Sequence, residues 1–240
     1  METQSDVAKP DTGVREVVRS VGGAVSLAAL GVIVAFVSIV VVVDPLFAII
    51  ESEWTLFGEL LDNFIVQPGF GLVAVCYIWW RDNYNPLDRI QMPSVEGVAW
   101  IGLIPIGYEM AVQAVTPVLP TLGLSHGAHS GTVKWRVFFD HPEIILPGLV
   151  VMFAVMAPME EILYRGVVHD ALEPAIGSLG RVLVGGLLFG GIHLFLSGGI
   201  VSLLLTSILG VLAAGSYEQT QNLTVPIMAH AGHWLMFVPF

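Results

Sequence analysis

Long apolar segments alternate with short polar ones along most of the chain. Most of the apolar segments approach the ~20 residues that an α-helix needs to cross the hydrocarbon core of a bilayer. The predicted spans are residues 23–43, 64–80, 96–118, 144–161, 182–197, 199–215 and 223–240. This pattern predicts an all-α protein, a polytopic transmembrane bundle of about 6–8 helices.

The polar segments divide the chain into three parts. Residues 1–22 are polar and predict a disordered cytoplasmic tail, followed by N-terminal transmembrane helices and loops over residues 23–143. Residues 144–240 form a C-terminal helical core. Within the middle part, residues 46–63 mix carboxylates with apolar side chains, which favours an amphipathic helix in the membrane interface.

The distribution of basic residues predicts the orientation. Basic side chains occur in the tail and in the loop 81–95, whereas the segment 46–63 has none. Because cytoplasmic loops carry an excess of Lys and Arg, the N-terminus is predicted to be cytoplasmic. We therefore expect an integral membrane protein of a prokaryotic plasma membrane.

Composition agrees with this class. The chain has 240 residues, of which 55% are hydrophobic and 12% charged, whereas soluble domains are about one quarter charged. A net charge of -11 argues against a nucleic-acid partner. The single cysteine, Cys76, excludes an intramolecular disulfide and a cysteine-rich metal site, and its apolar surroundings predict a buried thiol.

Two adjacent carboxylates end the fourth apolar segment. On a helix, Glu161 and Arg165 are four residues apart and share a face, so they are predicted to form an ion pair. Glu160 is rotated by about 100 degrees and cannot use the same arginine equally well. Charge inside a membrane is costly and is often functional, so Glu160 is a candidate general base.

Imidazoles occur in two later apolar segments. His193 follows Phe189 by four residues in a glycine-rich run, and His230 is followed by His233 and Trp234. A single histidine there is more commonly an interhelical hydrogen-bonding group. A carboxylate and imidazoles together, however, have the chemistry to activate water.

These segments, in this order, resemble the CPBP family of intramembrane proteases, which includes the type II CAAX prenyl endopeptidases and the Abi-type proteins. Glu160, Glu161 and Arg165 match its motif EExxxR, and Phe189 and His193 match FxxxH. His230 matches a third motif, a histidine usually followed four residues later by Asn or Asp. Here that position is Trp234, and the neighbouring His233 is three residues on.

The resemblance implies a glutamate-dependent, metal-independent endopeptidase with no cofactor. Glu160 would be the base, His193 would hold the water, and His230 would stabilise the oxyanion. Glu161 and Arg165 would fix the helix that presents Glu160. The substrate would be a membrane-bound peptide or protein, such as a lipidated, CAAX-like tail, reached from the lipid bilayer.

Three alternatives stay open at the level of sequence. Glutamate and histidines could instead bind zinc, although no HExxH is present. A non-catalytic protein of the same fold, an immunity factor or a scaffold, is favoured by Trp234. A transporter is a third hypothesis, but no paired broken helices indicate inverted repeats.

Overall fold

The structure is a computed structural model that describes residues 13–50, 56–124, 140–196 and 199–236. The first twelve residues of the predicted tail lie outside the described residues. Within the part that the structure describes, the tail does not extend to residue 22, because the first helix already begins at Val14.

Seven helices account for the fold of the described residues. They are α1 (Val14–Ile49), α2 (Leu56–Val66 and Pro68–Trp80, which meet at Gln67), α3 (Val95–Leu122), α4 (Pro142–Leu172), α5 (Ser178–Leu196), α6 (Ile200–Thr220) and α7 (Thr224–Met236). The first six contain segments that are long and apolar enough to cross a membrane, and no strand occurs in these ranges. The predicted all-α polytopic bundle is confirmed.

The predicted interfacial helix over residues 46–63 is wrong in its bounds. α1 continues through Pro45 to Ile49, and Leu56 begins the next helix, which runs into the second span. Proline normally breaks a helix because its ring clashes with the carbonyl four residues earlier. Here the preceding residues Ile39–Val43 are wound more widely, as a π-helix, which accommodates Pro45 without a break.

Helices α5 and α6 approach each other closely inside the bundle. A Cβ atom on Gly210 would lie 2.6 Å from the carbonyl oxygen of Gly186, so the two backbones meet at this point. Small residues at helix interfaces allow such close approach in membranes. This contact brings the backbone of α6 within reach of side chains on α4.

The prediction that Cys76 is a buried thiol is wrong, because this residue is exposed. It follows Leu72 and Val75, whose side chains are also exposed, on the outer side of α2. In a bundle surrounded by lipid, an apolar run does not distinguish a core position from a lipid-facing one.

A cluster of polar side chains connects the loop after α2 to the ends of α4 and α6. Arg89 contacts Asp170 at 2.6 Å between Nη1 and Oδ2, and it also donates to the Tyr217 hydroxyl. Tyr84 donates to the carbonyl oxygen of Gly166. Burial, followed by the nearby charge of Asp170, raises the pKa of Tyr84 far above its ordinary value, so its hydroxyl remains a donor.

Two further polar residues, His169 and Asn222, are buried in this region. His169 is 2% exposed, and its Nε2 lies 2.7 Å from Oε2 of Glu218. Asn222 binds the carbonyl oxygen of Gln91 through Nδ2, at 3.2 Å. Both residues form contacts between separate elements at the end of the bundle that is predicted to be cytoplasmic.

Candidate active site

Helix α4 places both glutamates inside the bundle. Ala157–Glu161 is a short α-helical stretch, and π-helical turns precede and follow it, at Val151–Met156 and Ile162–Val168. Such turns inside α-helices are frequent at functional sites. Glu160 is 4% exposed and Glu161 is fully buried, so neither carboxylate lies at the membrane surface.

Glu161 is held from two sides. Its Oε2 lies 3.0 Å from Nε of Arg165, and its Oε1 accepts from Nη1 of Arg165 at 3.1 Å. The same Oε1 lies 2.8 Å from Nδ1 of His230 on α7. Arg165 also donates through Nη2 to the carbonyl oxygen of Gly210, at 3.0 Å. The predicted pairing of Glu161 with Arg165 is confirmed, and it extends to α6 and α7.

Glu160 has a different environment. Its Oε2 is buried and has no hydrogen-bond partner within the described residues. Nε2 of His230 lies 4.0 Å from that oxygen. A separation above 3.5 Å between polar atoms suits a bridging water. Of the two adjacent carboxylates, therefore, one is fixed by ion pairs and the other keeps an available acceptor oxygen.

Phe189 lies at the centre of the cluster. The guanidinium carbon of Arg165 lies 4.5 Å from the centroid of its ring. The rings of His193 and His230 have centroids 5.3 Å and 5.5 Å from that of Phe189. The described contacts thus join Glu160, Glu161 and His230 directly, and they reach His193 through this phenyl ring.

Hydrogen bonding sets the tautomer of His193. Its Nδ1 lies 3.2 Å from the carbonyl oxygen of Phe189. A carbonyl oxygen only accepts, so Nδ1 carries the proton, and the neutral ring presents Nε2 as an acceptor. An acceptor there can take a hydrogen bond from a water.

The end of α7 carries the two remaining candidates. His233 donates from Nδ1 to the carbonyl oxygen of His230, at 2.6 Å, and its ring contacts Tyr108 edge-on at 5.3 Å. Trp234 follows His230 by one turn and shares its face. The indole Nε1 of Trp234 is buried and has no hydrogen-bond partner in the part of the chain that the structure describes. An N–H donor is thus available at the position one turn after His230.

Charge balance restricts the protonation of this cluster. Glu160, Glu161, Arg165 and His230 are all at most 4% exposed, and an uncompensated buried charge is costly. The four groups are neutral overall when one proton is shared between Glu160 and His230.

Three residues that lie beside the site were not identified from the sequence. Gln67 lies beside the Glu160 carboxylate, Tyr164 is fully buried near it, and Tyr108 packs on His233. A polar side chain inside a predicted span was a signal for Gln67. Tyr164 and Tyr108 gave no comparable signal, because tyrosine is common in apolar segments.

Metal binding has no candidate site in the described ranges. No group of three or more His, Cys, Asp or Glu side chains there has an arrangement that could hold a metal ion. The donor atoms of Glu161 and His230 are engaged with each other and with Arg165.

The fold and the site define a polytopic membrane bundle with a buried carboxylate–imidazole cluster. Residues 142–236 match the family model described as Rce1-like, type II CAAX prenyl endopeptidase. This part of the chain, which contains all the candidate site residues, is thus similar to the family that its motifs resemble. No curated protein and no solved structure matches the chain.

Proposed function

We propose that this protein is an intramembrane endopeptidase in which Glu160 activates a water. The observation that carries the proposal is the contrast between the two glutamates. Oε2 of Glu161 lies 3.0 Å from Nε of Arg165 and its Oε1 lies 2.8 Å from Nδ1 of His230. Oε2 of Glu160 is buried, has no hydrogen-bond partner among the described residues and lies 4.0 Å from Nε2 of His230. This oxygen is available to accept a proton from a water between them.

The chemical step follows from these positions. Ionised Glu160 takes one proton from the water, and the water oxygen attacks the carbonyl carbon of the peptide bond. Nε2 of His193 accepts a hydrogen bond from the second water proton. The carbonyl oxygen becomes an oxyanion, and protonated His230 donates to it from Nε2. When the intermediate collapses, the C–N bond breaks and Glu160 returns its proton to the leaving amine.

Trp234 supplies a second donor in this proposal. Its Nε1–H lies on the same face as His230, and the atom is buried without a hydrogen-bond partner within the described residues. A donor aimed at developing negative charge lowers the barrier by about 3–4 kcal/mol in acyl transfer. The indole would thereby take the place of the amide or acid usual at this position.

The substrate is proposed to be a membrane-associated peptide, such as a lipidated, CAAX-like tail. Two observations support this class. The site lies in the Rce1-like part of the chain, and the surrounding helices are apolar enough to cross a membrane. A substrate that lies in the bilayer is the class that suits a site inside such helices.

A non-catalytic role is the second candidate, as an immunity factor or scaffold. Trp234 favours it, because the indole is bulkier than Asn or Asp and cannot accept a hydrogen bond. The two candidates differ in one measurable property, which is turnover.

Cleavage of a fluorogenic peptide by the purified full chain in lipid nanodiscs tests the proposal. Prenylated and unprenylated forms of the peptide define the substrate class, and Glu160→Gln is the control because it keeps the shape of the side chain. We expect cleavage by the wild type that is insensitive to a chelator and lost in Glu160→Gln. Equal cleavage by both proteins would refute the role of Glu160, and no cleavage of any peptide would favour the scaffold.

A further inference from the structure

A groove of about 550 Å³ lies between α1 and α2, apart from the glutamate site. Its lining includes the apolar side chains of Leu27, Leu30 and Val73. Its mouth carries two basic side chains, Arg19 near the start of α1 and Arg81 directly after α2. The groove thus combines an apolar channel with a cationic end.

The two arginines at the mouth differ from those inside the bundle. Arg89, Arg165 and Arg181 each form an ion pair with a carboxylate. Arg19 and Arg81 form none with the residues that the structure describes, and both are exposed. Asp170 also borders the groove, but its Oδ2 already lies 2.6 Å from Arg89. Among the groove-lining residues, Arg19 and Arg81 are therefore cations without an ion-pair partner in the described part of the chain.

The length of the groove corresponds to one leaflet of a bilayer. Eleven residues of α1 separate Arg19 from Leu30, which is about 16 Å along a helix axis. Half of the ~30 Å hydrocarbon core is about 15 Å. Trp79 and Trp80 precede Arg81 and are 88% and 72% exposed, as is typical of side chains at the membrane–water interface. The mouth therefore lies at headgroup depth and the apolar part at acyl-chain depth.

We propose that this groove binds one anionic glycerophospholipid, with its phosphate between Arg19 and Arg81 and an acyl chain along Leu27, Leu30 and Val73. Charge complementarity selects the anionic class, because basic side chains at the membrane surface attract anionic lipids. A zwitterionic lipid brings its own cation to the same mouth and is bound less well. This site does not depend on the proposed peptidase activity.

Cys76 provides a direct reporter for the groove. It is the one cysteine in the sequence, it is exposed, and it lines the apolar part. The experiment measures the rate at which a small maleimide alkylates the purified full chain in detergent micelles. Three micelle samples are compared: one without added lipid, one with phosphatidylglycerol and one with phosphatidylcholine. A further sample contains free glycerol 3-phosphate in place of lipid.

We expect rapid alkylation without lipid and several-fold slower alkylation with phosphatidylglycerol. Phosphatidylcholine and glycerol 3-phosphate are expected to have little effect. The double variant Arg19→Gln/Arg81→Gln should lose the protection. Arg15→Gln should keep it, since Arg15 lies on the same helix but does not line the groove. Native mass spectrometry should show phosphatidylglycerol retained by the wild type and Arg15→Gln and lost from the double variant.

Three results would overturn the proposal. Equal protection by both lipids would mean that the acyl chain alone is recognised, and protection by glycerol 3-phosphate would mean that a free phosphate suffices. Slow alkylation in lipid-free micelles would show that another part of the protein fills the groove. A thermal unfolding scan of each variant verifies that a changed rate does not come from loss of the fold.

Discussion

His230 faces both glutamates of α4, but it binds only Glu161. Its Nδ1 lies 2.8 Å from Oε1 of Glu161, and its Nε2 lies 4.0 Å from Oε2 of Glu160. Because a carboxylate only accepts, Nδ1 must donate, and the ring orientation is thereby fixed. The two carboxylates beside this imidazole therefore differ: Glu161 is bound by it and stabilises the fold, and Glu160 has an oxygen that is available for chemistry.

This separation predicts that Glu160→Gln removes activity without unfolding the protein. Loss of a general base typically lowers the rate by about 10²–10⁴-fold. Stability should be preserved, because the change replaces a buried acid that has an unsatisfied oxygen with a neutral group of the same shape. Peptide cleavage and the midpoint of thermal unfolding check the two parts. A large drop in the midpoint would show that Glu160 is structural.

Glu161→Gln is the matched change at the adjacent residue. Unlike Glu160→Gln, it should lower the stability of the protein. It leaves Arg165, which is 1% exposed, without its ionic partner and removes the carboxylate that orients His230. Breaking a buried ion pair by removing one partner costs about 3–5 kcal/mol. Unfolding by denaturing detergent should show this loss of free energy. Equal stability of the two Gln variants would contradict the division between the two glutamates.

The contact between α5 and α6 predicts a large effect of Gly210→Ala. The new Cβ atom would lie 2.6 Å from the carbonyl oxygen of Gly186, so the helices must move apart. Overpacking of this kind costs about 1–3 kcal/mol. It also displaces the carbonyl oxygen of Gly210, which accepts from Arg165.

Gly215→Ala is the control for this change, because Gly215 lies on the same helix and a Cβ there meets no atom within 4 Å. Replacing glycine by alanine in an open helical position should leave stability unchanged or raise it by up to about 1 kcal/mol. The free energies of unfolding of the two variants, compared in the same detergent, decide the outcome. Similar values would argue against close packing at Gly210.

The sequence was most informative where the relevant contacts are local. The pairing of Glu161 with Arg165 follows from their separation of four residues on a helix, and the structure contains it. The bond from His230 to Glu161 joins residues 69 positions apart. No helical periodicity predicts such a contact, since it depends on how α7 packs against α4. The same limit applies to Gln67 beside Glu160.

Two local expectations were wrong for physical reasons. The first span was predicted to end at residue 43, but α1 continues past Pro45, because the π-helical turn before this proline accommodates the missing hydrogen bond. Cys76 was expected in the core, yet it faces outward. Apolar side chains are as stable against lipid as against protein, so hydropathy identifies membrane helices without identifying their inner faces.

The last prediction concerns Trp234, at the position where the motif that His230 resembles usually has Asn or Asp. If its indole donates to the oxyanion, Trp234→Phe removes the Nε1–H and keeps an aromatic ring, and kcat should fall by about 10²-fold with KM nearly unchanged. Trp234→Asn restores an amide donor and should retain more activity than Trp234→Phe. Steady-state kinetics of the three proteins on one fluorogenic peptide distinguish these outcomes. Equal kcat for the wild type and Trp234→Phe would exclude the indole as a donor and leave oxyanion stabilisation to His230.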